Sequence, residues 1–246
     1  MREAKSSLST RSGRATIALL IVSTQLCASG QTAAVTADVR MARPNSSRTR
    51  SKDLSQVVVW LTPLNDEPVS MTQGPPPQLI QHDKTFDPHI LVVQVGATVA
   101  FPNEDPFFHN IFSLYNGKRF DLGLYEAGMT RSVRFDRPGI SYLFCNIHSE
   151  MSAVVVALDT PYFGVSDRGG HVSIPDVPDG RYHLHVWYER SLPETLTPLS
   201  RPVTISAASR SLGPIHVTEN PNFTFAHKNK YGEDYVPPPS DSYQHP

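Results

Sequence analysis

Apolar residues in this chain gather in short runs rich in Val, Ile, Phe and Tyr, and turn-forming residues separate the runs. That texture predicts strands joined by turns. Residues 35–41 read as an opening strand, and Pro44-Asn45-Ser46-Ser47 as a loop. Residues 57–61 are continuously apolar, which predicts a strand buried on both faces. The run Gly74-Pro75-Pro76-Pro77 is a breaker. A dense series follows at 90–95, 98–101, 109–114, 120–122, 130–135, 141–144 and 153–158, with turns at Gly96, Asn116-Gly117 and Pro138-Gly139. Strands at this spacing predict a Greek-key sandwich or barrel.

At Asp159-Thr160-Pro161 the character shifts to a second, smaller β-rich unit. Its predicted strands are 171–174, 182–187, 202–205 and 212–217, with turn signals at Gly169-Gly170 and Pro178-Asp179-Gly180. The tail from 219 is polar and aromatic and carries Pro237-Pro238-Pro239, so it reads as extended and partly disordered. No internal repeat and no long helix is visible. The predicted organisation is all-β: a leader over 1–30, a first β-sandwich over 31–160, a smaller β-unit over 161–218, and the tail over 219–246.

Composition narrows the function. Net charge is −1, so nothing suggests the basic face of a nucleic-acid binder. Arg2, Lys5, Arg11 and Arg14 precede an apolar run from Ala15 to about Cys27, and the small residues Ala28-Ser29-Gly30 follow. This is the pattern of an export signal, and the run is short for a membrane span. The expected mature protein is periplasmic, with no stable membrane insertion. Of the two cysteines, Cys27 leaves with the signal and Cys145 remains alone. A lone thiol in an oxidising compartment is either buried and inert or a metal-bound thiolate.

The neighbours of Cys145 favour the metal. Phe144-Cys145-Asn146-Ile147-His148-Ser149-Glu150-Met151 brings a thiolate, an imidazole and a thioether into one short loop at a strand end. Blue-copper sites use two His and one Cys near a trigonal plane, with a weak axial Met. The second imidazole is expected from His109, in Phe107-Phe108-His109-Asn110. Phe107, Phe108, Phe144 and Ile147 are candidates for the apolar shell. Structural zinc usually wants four strong ligands, and only three converge here.

The stretch from Phe101-Pro102-Asn103-Glu104-Asp105 through His109-Asn110, the block Phe120-Asp121-Leu122-Gly123, and Cys145-Asn146-Ile147-His148 resemble the plastocyanin-like cupredoxins, in particular the bacterial methylamine-utilisation type. The resemblance covers roughly residues 55 to 160. It implies a Greek-key sandwich, one copper cycling between Cu(I) and Cu(II), an electron-carrier role, and His109, Cys145 and His148 as equatorial ligands. It also implies that Asn110 bonds across to the Cys loop and that His148 faces a redox partner protein, which the sequence does not name. Met151 comes three residues after His148, closer than the family's usual five. It is the expected weak axial ligand, with a packing role or Glu150 as alternatives.

On the residues from Gly169 to Tyr182, the stretch 163–217 resembles the small Ig-like or transthyretin-like β-domain known as carboxypeptidase-regulatory-like. That segment has no catalytic set, so a scaffold or partner-binding role is expected. His183 and His185 share one strand face and His82 stands beside Asp83, but none is expected to hold metal. Glu104 and Asp105 are expected to shape the loop before His109 or to present a negative patch. No hydrolase triad order, phosphate loop or dinucleotide fingerprint is present. The expectation is an electron carrier and not an enzyme, with copper delivery or a metal-free structural module as alternatives.

Overall fold

Alternation accounts for the first strand. In β1 (Ala33–Met41), Val35, Ala37 and Val39 are buried while Thr36, Asp38 and Arg40 face outward, the period of a strand with one covered face. The computed structural model describes residues 33–42, 53–65, 75–114 and 117–235. The expected leader (1–30), the loop at Pro44–Ser47, Gly74, Asn116 and the tail beyond 235 lie outside the described residues.

The next strands are β2 (Val58–Pro63), β3 (Ile80–His82), β4 (Thr85–Asp87), β5 (Ile90–Gln94), β6 (Thr98–Pro102), β7 (His109–Ser113), β8 (Phe120–Tyr125), β9 (Thr130–Arg134), β10 (Gly139–Cys145) and β11 (Ser152–Leu158). After them come β12 (Phe163–Val165), β13 (His171–Val177), β14 (Gly180–Trp187), β15 (Arg201–Ile205) and β16 (Ser211–Val217). Helical structure among the described residues is confined to α1 (Pro193–Leu196) and the 3₁₀ turn Thr197–Leu199. The protein is all-β.

The sheets pair strands that are far apart in sequence. β1 lies between β13, antiparallel, and β16, parallel. β2 lies between β12 and β14. Both N-terminal strands, grouped by the sequence reading with the first unit, therefore complete the sheets of the second. Their buried faces explain it: Val35, Val39, Val59 and Leu61 share one core with Val172, Ile174, Leu184 and Ile215. The chain from β3 to β11 is thus inserted between β2 and β12.

Inside the insertion, one sheet runs β5-β11-β10-β7-β8, and β6-β9 and β3-β4 form smaller pairs. β11 is apolar at nearly every position because both of its faces are covered. Ala153, Val155 and Ala157 enter the core that holds Cys145 and Met151. Val154, Val156 and Leu158 enter the core of the second unit. The same division holds on β10, where Leu143 and Cys145 face one core and Ile140 and Tyr142 the other. One sheet is therefore the shared wall between the site-bearing core and the second unit. His89 pins the two parts together, with its ring nitrogens on the Ser152 carbonyl at 3.0 Å and the Glu189 carboxylate at 2.6 Å.

Candidate metal centre

β7 and β10 are antiparallel neighbours, with Cys145 opposite Ile111 and Phe144 opposite Phe112. The start of one strand therefore lies beside the end of the other, which brings His109, the first residue of β7, to Cys145, the last residue of β10. The loop from Cys145 to Met151 then returns to β11. It is closed by Cys145 N–H to the Met151 carbonyl at 3.0 Å and Met151 N–H to the His148 carbonyl at 3.2 Å. Asn146 N–H reaches the Asn110 carbonyl at 2.8 Å and ties the loop to β7.

His109, Cys145 and His148 form one cluster, with a ligand atom of each within 4.8 Å of the others. The Cys145 Sγ lies 3.5 Å from His109 Nδ1 and 3.6 Å from His148 Nδ1. A metal bonded at about 2.1 Å to nitrogen and about 2.3 Å to sulfur, at trigonal angles, needs N···S separations of about 3.8 Å. The spacing and the donor chemistry, two imidazoles and a thiolate, fit copper. Cys145 and His109 are fully buried, whereas His148 is only half-buried.

Asp105 orients His109. Its carboxylate takes the Nε2 side of the ring at 2.8 Å, so Nε2–H donates and Nδ1 keeps its lone pair facing the sulfur. The same carboxylate accepts the backbone N–H groups of Asp83 at 2.7 Å and Lys84 at 3.0 Å. Those two residues turn β3 into β4 with positive φ at both, 51° and 57°, the conformation of a type I′ hairpin. Burial pushes the Asp105 carboxyl up, but hydrogen bonds from His109, Lys84 and Asp83 outweigh it and leave it below the usual range. Burial lowers His109 and Asp105 opposes it. Burial lowers His148 too, helped by His109 and Lys84. Both imidazoles are therefore neutral, with lone pairs free to bind, at neutral pH.

The apolar shell is partly the expected one. The Phe107 ring meets the His109 ring at 5.3 Å and the His148 ring at 5.6 Å. Phe108 and Ile147 instead point outward, 50% and 43% exposed. Phe144 turns to the other face of the sheet, against Phe112 and His227. Met151 is 1% exposed and shares the core of Cys145, while Glu150 is exposed.

Some of the other expectations are corrected. Asn110 does contact the Cys loop, but through its backbone carbonyl. Its side chain donates to Asp121 at 2.6 Å. Asp105, expected to shape its loop or face solvent, is buried on a candidate ligand. Glu104 is exposed. His82 sits on an exposed turn against Asp83. His183 and His185 have rings 4.7 Å apart, and Trp60 stacks on His185. They belong to no three-residue cluster among the described residues.

No family model matches the chain, and no curated protein matches it. Among solved structures it is similar to a purple cupredoxin from Nitrosopumilus maritimus, with 26% identity, 33% of this chain and 99% of that one covered, and a TM-score of 0.31. It is similar also to the copper-containing nitrite reductase of Thermus scotoductus SA-01, with 23% identity, 39% of this chain and 27% of that one covered, and a TM-score of 0.33. An oxidized amicyanin mutant shows 17% identity, with 40% of this chain and 99% of that one covered and a TM-score of 0.33.

Proposed function

We propose that the protein is an exported, periplasmic electron carrier holding one type 1 copper at His109, Cys145 and His148, with Met151 as a weak axial ligand. The observation that carries this reading is the buried Cys145 Sγ between two imidazole Nδ1 atoms at 3.5 and 3.6 Å. Bound copper would supply a Cu(I)/Cu(II) couple, with the soft thiolate suited to the reduced state.

The chain's own residues would do the rest. Asp105 fixes His109 in one tautomer, and the hydrogen-bonded loop holds Cys145 and His148 at constant spacing, so little has to move when charge changes. Phe107 keeps water from the two rings. Among the two imidazoles His148 is the more exposed, and Phe108 and Ile147 give its surroundings an apolar rim suited to brief docking of a redox partner. Among the described residues no helix is long and apolar enough to cross a membrane.

The test is the visible spectrum of the purified protein loaded with Cu(II), beside Cys145→Ser. The expected result is an intense thiolate-to-copper band that reductant bleaches and the variant lacks. Weak copper binding equal in both proteins, with no such band, would sink the reading.

A further inference from the structure

Residues 219–235 contain no strand or helix, yet they run from the second unit to the outside of the Cys loop. At the near end, Asn220 N–H donates to the Arg190 carbonyl at 2.6 Å and Tyr188 donates to Glu219 at 3.0 Å. Midway, the Phe225 ring meets His89 edge-on at 5.4 Å and Arg190 at 5.6 Å. Beyond it, His227 lies 4.3 Å from the Phe144 ring, centroid to centroid.

The far end makes three polar contacts with the site's supports. Tyr235 donates its hydroxyl to the Cys145 carbonyl at 2.6 Å. Lys230 N–H donates to the Asn146 side-chain oxygen at 2.9 Å. The Lys230 ammonium meets Asp121 at 2.7 Å, and that carboxylate also holds Asn110. Cys145 and Asn146 belong to the loop, and Asn110 is the residue whose carbonyl ties that loop to β7. The segment thus grips the loop at two of its residues and grips its anchor through Asp121. Tyr235 reaches the main chain of Cys145 and Lys230 reaches the side chains of Asn146 and Asp121, so the segment restrains the loop through atoms other than the three candidate ligand atoms.

We infer that residues 219–235 are a strap that positions the Cys145 loop, with Tyr235 as its principal positioning residue. The inference rests on the copper reading above for its consequence in the loaded protein, though the restraint itself exists without metal. A strap of this kind does two things. It keeps Cys145 and His148 at their spacing when the metal is absent, which lowers the cost of ordering the loop on binding. It also places a hydrogen bond on the Cys145 carbonyl that draws charge from the residue carrying the sulfur. Partners outside the ligand set typically change metal affinity by about 10–100-fold when lost.

Tyr235→Phe in the full chain tests it, because the ring stays and only the hydroxyl goes. Thr204→Val, which removes an exposed hydroxyl on β15, is the control. In the metal-free protein, Tyr235→Phe is expected to speed alkylation of Cys145 on the order of fivefold, with faster amide exchange at Cys145 and Asn146 and no change in β13 or β16. In the copper-loaded protein it is expected to speed copper loss to a chelator about tenfold and to lower the reduction potential. The control should match wild type in all of these. Alkylation and exchange unchanged from wild type would overturn the strap. So would faster exchange spread evenly through β13 and β16, which would make Tyr235 a general packing residue. Failure of the copper reading shows separately, as the absence of the thiolate band in wild type, and the metal-free alkylation still decides the strap.

Discussion

At the scale of single residues, the three strong donors were legible because their types and order carry the chemistry. A Cys, a His three residues on, and a second His at the start of another strand can meet when the two strands pair antiparallel. Asp105 was not legible, because an acidic residue in a loop reads as solvated until the fold buries it. Its contact with His109 makes a specific expectation. Asp105→Asn should weaken copper retention about 10–100-fold and raise the reduction potential, since the ring loses a charged acceptor and donates less to the oxidised metal. Competition against a chelator and redox titration measure the two effects, and an unchanged potential would mean that the carboxylate serves only the β3–β4 turn. A pH dependence follows from the same burial. In the metal-free protein His109 and His148 lie below the ordinary 6.5, so below that pH the unfolded chain binds more protons than the folded one and stability falls. Asp105 and Asp121 lie below the ordinary 3.8, so their contribution is full above that value and is lost as pH falls through their folded values. Urea midpoints of the metal-free protein should therefore decline from about pH 7 to pH 5 and decline again in stronger acid. A flat profile down to pH 5 would show that the two rings are not held neutral by burial.

At the scale of elements, apolar runs located most of the strands, and residues 57–61 and 153–158 proved doubly covered where the pattern was continuous. β3, β4 and β12 escaped because three residues are too few to show a period. The glycine pair before β13 was read as a turn, and its reason is now visible. Gly170 has φ +86°, and a Cβ there would stand 2.4 Å from the Val39 carbonyl oxygen on β1. That contact is backbone, so it cannot be relieved by a rotamer change. Gly170→Ala should cost about 1–3 kcal/mol for the left-handed conformation alone, with the clash against β1 adding to it. Denaturant unfolding reads the loss, and a midpoint equal to wild type would mean that the turn does not approach β1 as described.

At the scale of the whole molecule, local pattern could not say which strands pair. β1 and β2 have the alternation or continuity of strands wherever they go, and only the fit of their buried faces assigns them to the second unit. The consequence is that the segment bearing the candidate site and its scaffold are interdependent. A fragment of residues 31–160, the first unit as the sequence delimits it, would keep β1 and β2 but lose β12, β13, β14 and β16. It would also bare Ile140, Tyr142, Val154 and Val156 on the outer face of the site-bearing sheet. Each buried aliphatic side chain is worth about 1.5–3 kcal/mol, and native domains hold only about 5–15 kcal/mol in total. Exposing the buried Val154 and Val156 together with the partly buried Ile140 and Tyr142, and stranding two strands, removes a large share of that total. The fragment should therefore bind a hydrophobic dye and unfold without a cooperative transition, while the full chain from residue 31 unfolds in one transition seen alike by near-ultraviolet circular dichroism and by the copper band. A fragment that folded cooperatively and took up copper with the full chain's spectrum would show instead that the inserted unit carries its own stability, and that the second unit serves another purpose than support.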